Sequence, residues 1–200
     1  GAAPRSSLKS LSETIPAIRR LLNGEMVSVQ GEQVKLDKVQ MHMPVNSVPP
    51  LYVGAMREKT LRLAGRIGDG TIMAAMASPA YIRWAQEHIR AGMTEAGRTQ
   101  HRIVVYLDVK VSPDGARARA ATRRALADWW PWVDAHMDTL GITQEVAAFV
   151  QKHGVEGIAE HMPDEWLDAM AASGTPDQAE QGIRRVMETG VDSVVLQPLN

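Results

Sequence analysis

Leu51-Tyr52-Val53-Gly54-Ala55-Met56-Arg57-Glu58-Lys59-Thr60-Leu61-Arg62-Leu63-Ala64-Gly65-Arg66-Ile67-Gly68-Asp69-Gly70-Thr71-Ile72-Met73-Ala74 is the stretch whose reading decides the fold. Leu51-Tyr52-Val53 is a short apolar strand, and Gly54-Ala55-Met56 a turn of small residues with one Met. A helix follows from about Arg57 to Arg66, Gly68-Asp69-Gly70 is a turn, and Thr71 to Ala74 is a second apolar strand. Strand, helix and strand in so short a span describe a parallel crossover unit, because antiparallel neighbours need only a hairpin.

The same grammar continues downstream. Ser78-Pro79 supplies an N-cap with proline at the first helical position, and Ile82, Ala85, Ile89 and Met93 form one stripe of the helix that follows. Ile103 to Val109 is the longest strand candidate, and an Ala- and Arg-rich helix is expected from Asp114 to Trp130. Residues 131–174 read as several short helices, with Val146, Phe149 and Val150 as one buried face. Thr175-Pro176-Asp177-Gln178 is a capping box whose helix is expected to bury Ile183, Val186 and Met187, and Val191 to Leu196 reads as a buried strand.

Upstream, Leu8, Leu11, Ile15, Ile18, Leu21 and Leu22 predict a helix ending at Asn23-Gly24. Pro16 inside it predicts a kink or a later start. Val27–Gln30 and Gln33–Leu36 around Gly31-Glu32 predict a β-hairpin. Repeated βα units with right-handed crossovers point to a parallel sheet covered by helices. Four such strands do not close a barrel, which takes eight strands and about 250 residues.

Composition narrows the chemistry. The chain has 200 residues, 44% of them apolar, with 22 basic and 23 acidic side chains. That balance argues against a nucleic-acid partner, whose phosphates need a basic excess. With no cysteine, disulfides and thiolate metal sites are excluded, and a reducing, cytoplasmic location is expected. No apolar run approaches the roughly 18 residues of a membrane span, and Gly1-Ala2-Ala3-Pro4 has no signal-peptide pattern. The histidines at 42, 88, 101, 136, 153 and 161 form no HxxxH or HExxH pair, so no metal is expected.

Asp69 resembles a poised carboxylate, but between two glycines it reads better as a turn residue bonding local backbone. Trp129-Trp130-Pro131-Trp132 reads as helix-end packing or a binding wall. Arg117, Arg119, Arg123 and Arg124 read as a solvated helix surface.

Three stretches resemble the bacterial luciferase-like monooxygenase family, and within it the deazaflavin-dependent reductases. These are Pro49 to Gly70, Ile18 to Glu25 with the hairpin after it, and Gly174-Thr175-Pro176 through Gly190-Val191-Asp192 to the last strand. The resemblance implies a (β/α)₈ TIM-barrel fold of which this chain is an incomplete barrel, with residues 51–55, 71–75, 103–109 and 191–197 as the last four strands. It reads as a single partial-barrel domain over 1–200, with a hairpin insertion about 27–36 and a helical insertion about 131–174. A fragment of a longer protein is the simplest account, and a short relative pairing with another chain is the alternative. The isolated chain is then expected to be inactive.

For function, the resemblance implies hydride transfer between the deazaflavin coenzyme F420 and a small organic substrate. A flavin mononucleotide (FMN)-dependent monooxygenase, or a non-catalytic partner-binding α/β module, are the alternatives. Val53, Gly54, Ala55, Met56 and Arg57 would hold the cofactor's phosphate-bearing tail: small residues let backbone approach an anion, a helix N-terminus faces it, and Arg57 adds charge. Arg57-Glu58 stands where the family often has Gly-Pro. Ala74, Ala75 and Met76 would lie on the rim of the barrel mouth. Catalytic residues are unassigned, and the expected partners are a small molecule and a second copy in a homodimer or other homo-oligomer.

Overall fold

The structure, a computed structural model, describes residues 6–43, 45–130, 134–154 and 156–200. In chain order its elements are α1 (Ser7–Leu22), β1 (Val27–Gln30), β2 (Lys35–Val39), β3 (Tyr52–Gly54), α2 (Glu58–Ile67), β4 (Gly70–Met73), α3 (Pro79–Glu95), β5 (Arg102–Val111), α4 (Gly115–Trp129), α5 (Asp134–Leu140), α6 (Thr143–His153), α7 (Ile158–His161), α8 (Asp164–Met170), β6 (Ala171–Gly174), α9 (Pro176–Met187) and β7 (Ser193–Pro198). Strands β1 and β2 pair antiparallel. The other five share one sheet in the order β3-β4-β5-β6, with β7 also on β5, and β5 is parallel to both β6 and β7. The class is therefore α/β, and among the described residues the sheet does not close into a barrel. Two compact units divide the chain, residues 1–71 with 88–101 and residues 72–87 with 102–200.

In the first unit, α1 runs unbroken from Ser7 through Pro16. The Ser6 hydroxyl accepts the Lys9 N–H and the Asn23 N–H returns to the Arg19 carbonyl, so both ends are satisfied and one missing donor does not delay the start. Helices α2 and the second half of α3 touch backbone to backbone. A Cβ on Gly65 would overlap the Ile89 carbonyl, and one on Gly92 would overlap that of Arg62. The hairpin's second strand starts two residues later than the sequence suggests. The Glu13 carboxylate takes the N–H groups of Glu32, Gln33 and Val34 at 3.1, 2.8 and 2.9 Å, so those residues form the turn.

The second unit is built on β5, whose Ile103, Val105 and Leu107 are buried. Strand β6 is an addition to the expected set, because Ala171-Ala172-Ser173-Gly174 has no strand-forming residue and is held by pairing with Asp108–Val111. Helix α9 buries Ala179, Gly182 and Val186 rather than Met187, which is 46% exposed, and Ile183 is half-buried. Strand β7 is mostly exposed instead of buried, since β5 covers only one of its edges among the described residues. Helices α4, α5, α7 and α8 enclose a core of Leu126, Trp130, Met137, Ile158, Met162, Trp166, Leu167 and Met170. Val146, Phe149 and Val150 lean on this core half-buried. Fully burying each such Leu or Ile contributes about 1.5–3 kcal/mol relative to exposure.

Two arginines expected in solvent belong to this packing. Arg119 reaches Asp168 at 2.6 Å and Asp164 at 3.1 Å, and Arg123 pairs with Asp164 and donates to the Met162 carbonyl. Arg117 and Arg124 are exposed.

Candidate cofactor-binding turn

In the first unit, Val53 is 1% exposed and anchors β3, and the chain then emerges at Gly54. Gly54 has no positive φ, and nothing lies within 4 Å of where a Cβ would sit. Neither backbone conformation nor packing demands a glycine there. Ala55 is buried, Met56 half-buried and Arg57 exposed. Arg57 is extended, with φ −108° and ψ 153°, and precedes α2 as its N-cap. Its N–H donates to Thr60 Oγ1 at 3.2 Å, and the Thr60 hydroxyl donates to the Arg57 carbonyl at 2.8 Å. An anion here would therefore meet the first-turn N–H groups of Glu58, Lys59 and Thr60, with the Arg57 and Lys59 side chains as cations. Glu58, in the same turn, opposes them.

Asp69 is a structural hub. Its carboxylate accepts the Leu51 N–H at 2.8 Å and pairs with Arg19 at 2.9 Å and Arg98 at 3.0 Å. Burial pushes this carboxyl up, but the Leu51 N–H and the two guanidiniums together hold it below its ordinary value. All these partners are protein groups, so Asp69 is structural, but its carboxylate bonds Leu51, 18 residues away, and two arginines rather than the backbone of its own turn.

In the second unit, β4 runs into Ala74, exposed, and Ala75, half-buried, but Met76 is 2% exposed and part of the helical core. Met76 has φ +67°, a strained conformation for its side chain, and its carbonyl bonds His136 Nδ1 at 2.9 Å. The Tyr81 ring packs tilted against His136 with centroids 4.2 Å apart, and burial pushes its phenol well above the ordinary value. Trp130 stacks on Trp166 at 5.9 Å and Trp129 is 64% exposed, while Pro131 and Trp132 lie outside the described residues. His153 and His161 have ring centroids 4.8 Å apart, yet among the described residues no group of three or more His, Cys, Asp or Glu could hold a metal.

The feature that sequence reasoning missed is Asp108. It lies in an apolar strand run, is 7% exposed, and burial raises its carboxyl above the ordinary value. An acid inside Ile-Val-Val-Tyr-Leu-Asp-Val was the available signal.

Residues 1–193 match the luciferase-like monooxygenase family. The chain belongs to that family. Among similar luciferase-like proteins, a 5,10-methylenetetrahydromethanopterin reductase of Archaeoglobus fulgidus is 30% identical, over 94% of this chain and 59% of its own length. An F420-dependent glucose-6-phosphate dehydrogenase of Nakamurella multipartita is 29% identical over 92% and 52%. The solved coenzyme F420-dependent tetrahydromethanopterin reductase of Methanopyrus kandleri superposes with a TM-score of 0.80 at 23% identity, over 99% of this chain and 59% of that one. The oxygenating constituent of the 3,6-diketocamphane monooxygenase of Pseudomonas putida, solved with FMN, gives 0.62 at 16% identity over 94% and 56%. The chain thus spans about half to three fifths of the length of these relatives. No helix among the described residues is long and apolar enough to cross a membrane.

Proposed function

We propose that this chain is the C-terminal part of an oxidoreductase that transfers hydride between coenzyme F420 and a small organic substrate. The support is the run of relatives named for F420-dependent reduction and dehydrogenation. The observation that carries it in this chain is Gly54, exposed and unconstrained, separated from the N-terminus of α2 only by Ala55, Met56 and the N-cap Arg57, with Lys59 in the first turn. The missing Cβ leaves open the space in which a phosphate oxygen would approach backbone.

When bound, the deazaflavin would supply the hydride chemistry, and the protein would bind, orient and exclude water. Val53, Gly54, Ala55, Met56 and Arg57 would hold the phosphate-bearing tail: Val53 fixes the strand end in the core, Gly54 clears the approach, and Arg57 contributes charge. FMN also carries a phosphate, and the FMN-bound Pseudomonas putida structure is the observation favouring an FMN monooxygenase as the second reading. The same proposal includes a cytoplasmic homo-oligomer. The cysteine-free composition and the exposed Trp129 support it, and sedimentation velocity tests the oligomer.

Fluorescence titration of the intact protein with coenzyme F420 and with FMN separates the readings; tight binding of FMN alone removes the first. Gly54→Ala should leave stability unchanged or raise it by up to about 1 kcal/mol, while weakening F420 binding by roughly tenfold or more through lost backbone approach. Unchanged binding in that variant removes Gly54 from the site.

A further inference from the structure

In β5 side chains alternate between the two faces of the sheet. Ile103, Val105 and Leu107 lie on one face, 9%, 0% and 2% exposed. Val104, Tyr106, Asp108 and Lys110 lie on the other, where Val104 and Tyr106 are half-buried and Asp108 is 7% exposed. Across the sheet Asp108 stands level with Ala171 of β6 and Gln197 of β7, so all three share a face. Ala171 belongs to the helical core, so Asp108 stands at the edge of that core. Gln197, on the other side, is exposed.

Asp108 is more than nine-tenths buried and has no hydrogen-bond partner among the described residues. Lys110, the cation on the same face of its strand, donates instead to the Leu199 carbonyl at 2.8 Å. No hydrogen bond or ion pair reaches the Asp108 carboxyl among the described residues, and burial raises it above its ordinary value. A buried ionised carboxylate without a partner is costly, and an apolar side chain would fill the position more cheaply. The neutral form carries an O–H donor beside a C=O acceptor. That pair complements an N–H beside a C=O, the edge of a ring lactam or imide. Gln197 on the adjacent strand, about 4.8 Å away, carries a second donor–acceptor pair in its carboxamide.

We propose that Asp108 and Gln197 form a recognition site for the lactam or imide edge of a heterocyclic ligand. This deepens the proposed function and rests on it, since both the pyrimidinedione of a deazaflavin and the ring of a pterin present such an edge. The site lies in the C-terminal half of β5 and at the C-terminal end of β7, where parallel α/β folds of this class place their ligands.

The test uses the intact protein with two probes, the phosphate-free deazaflavin chromophore and 6-methylpterin, titrated across pH. Wild type should bind at least one probe, and more weakly as pH rises and Asp108 ionises. Asp108→Asn keeps a donor and an acceptor in the same shape, so it should bind within about threefold of wild type and lose that pH dependence. Asp108→Leu and Gln197→Leu should each weaken binding by roughly tenfold or more, with an unchanged circular dichroism spectrum and no loss in thermal midpoint. The proposal is overturned if Asp108→Leu binds both probes as wild type does, if Asp108→Asn loses as much as Asp108→Leu, or if wild type binds neither probe. Binding of 6-methylpterin but of neither the chromophore nor complete coenzyme F420 would remove the cofactor reading and leave the lactam site standing on the pterin arm.

Discussion

Two aspartates show how a single side chain joins two strands. The Asp69 N–H donates to the Leu51 carbonyl while its carboxylate takes the Leu51 N–H, each at 2.8 Å. Asp192 repeats this with Ile103, at 3.0 and 2.7 Å. Both precede a strand and close onto a residue within one position of the start of another, at the N-terminal ends, where this architecture keeps stability rather than chemistry. Asp69→Asn should lower stability by about 1–3 kcal/mol at neutral pH. The sign with pH follows from its lowered carboxyl. Stability from Asp69 is complete above its unfolded value of 3.8 and is lost as pH falls through the lower folded value. Urea midpoints of wild type and variant should therefore converge in acid; a gap that stays constant would show that the charge is not what matters. Arg57 belongs at the same scale, in the proposed cofactor-tail site. Arg57→Ala should weaken F420 binding by about 1.5–3 kcal/mol, one charge-assisted phosphate contact, with little change in thermal midpoint. Equal affinity in an isothermal titration would exclude Arg57 from the tail site.

Helix α4 is secured to α8 by charge as well as by core packing. Arg119, its side chain 12% exposed, holds Asp164 and Asp168 together, and those carboxylates raise its guanidinium above its ordinary value. Arg119→Ala strips two carboxylates of their partner and should cost about 1–3 kcal/mol. Hydrogen exchange should show lost protection concentrated in α8; a uniform loss across the second unit would contradict a local clamp. The α4 arginines looked solvated in sequence because helical periodicity gives the direction of a side chain and not what arrives opposite it. Strand β6 was hidden for a related reason: Ala171 to Gly174 has no strand pattern of its own and exists through pairing with β5. The hairpin slipped by two residues because Glu13, some twenty positions away, takes three backbone donors from its turn. Where the signal is local, as in the caps Ser78, Asp114 and Thr175, the boundaries were legible to within a residue. The turn at Gly54 was legible too, since strand, small residues and helix follow one another along the chain. Asp108 was not, because its isolation depends on Lys110 bonding Leu199 rather than it.

For the molecule as a whole, pH has two limbs with opposite causes. The family match runs over residues 1–193 while the chain spans 59% of its Archaeoglobus fulgidus relative, so turnover is a property to test on the intact protein. Stability can be read on the chain itself. Asp69 makes the fold weaker in acid, as argued above. Asp108 acts the other way, because burial raises its folded carboxyl above the unfolded value of 3.8. The folded state then binds more protons than the unfolded state between those two values. Its contribution is fully present below 3.8 and is lost as pH rises through the raised folded value. Asp108→Asn cannot ionise and escapes that loss. The variant should match wild type near about pH 4, then become progressively more stable relative to it toward about pH 8, by an amount on the order of 1–3 kcal/mol. Urea unfolding at a series of pH values measures this directly. A variant less stable than wild type at neutral pH would mean that the Asp108 carboxylate is stabilised in its charged form, and the uncharged donor assigned to it would have to be given up.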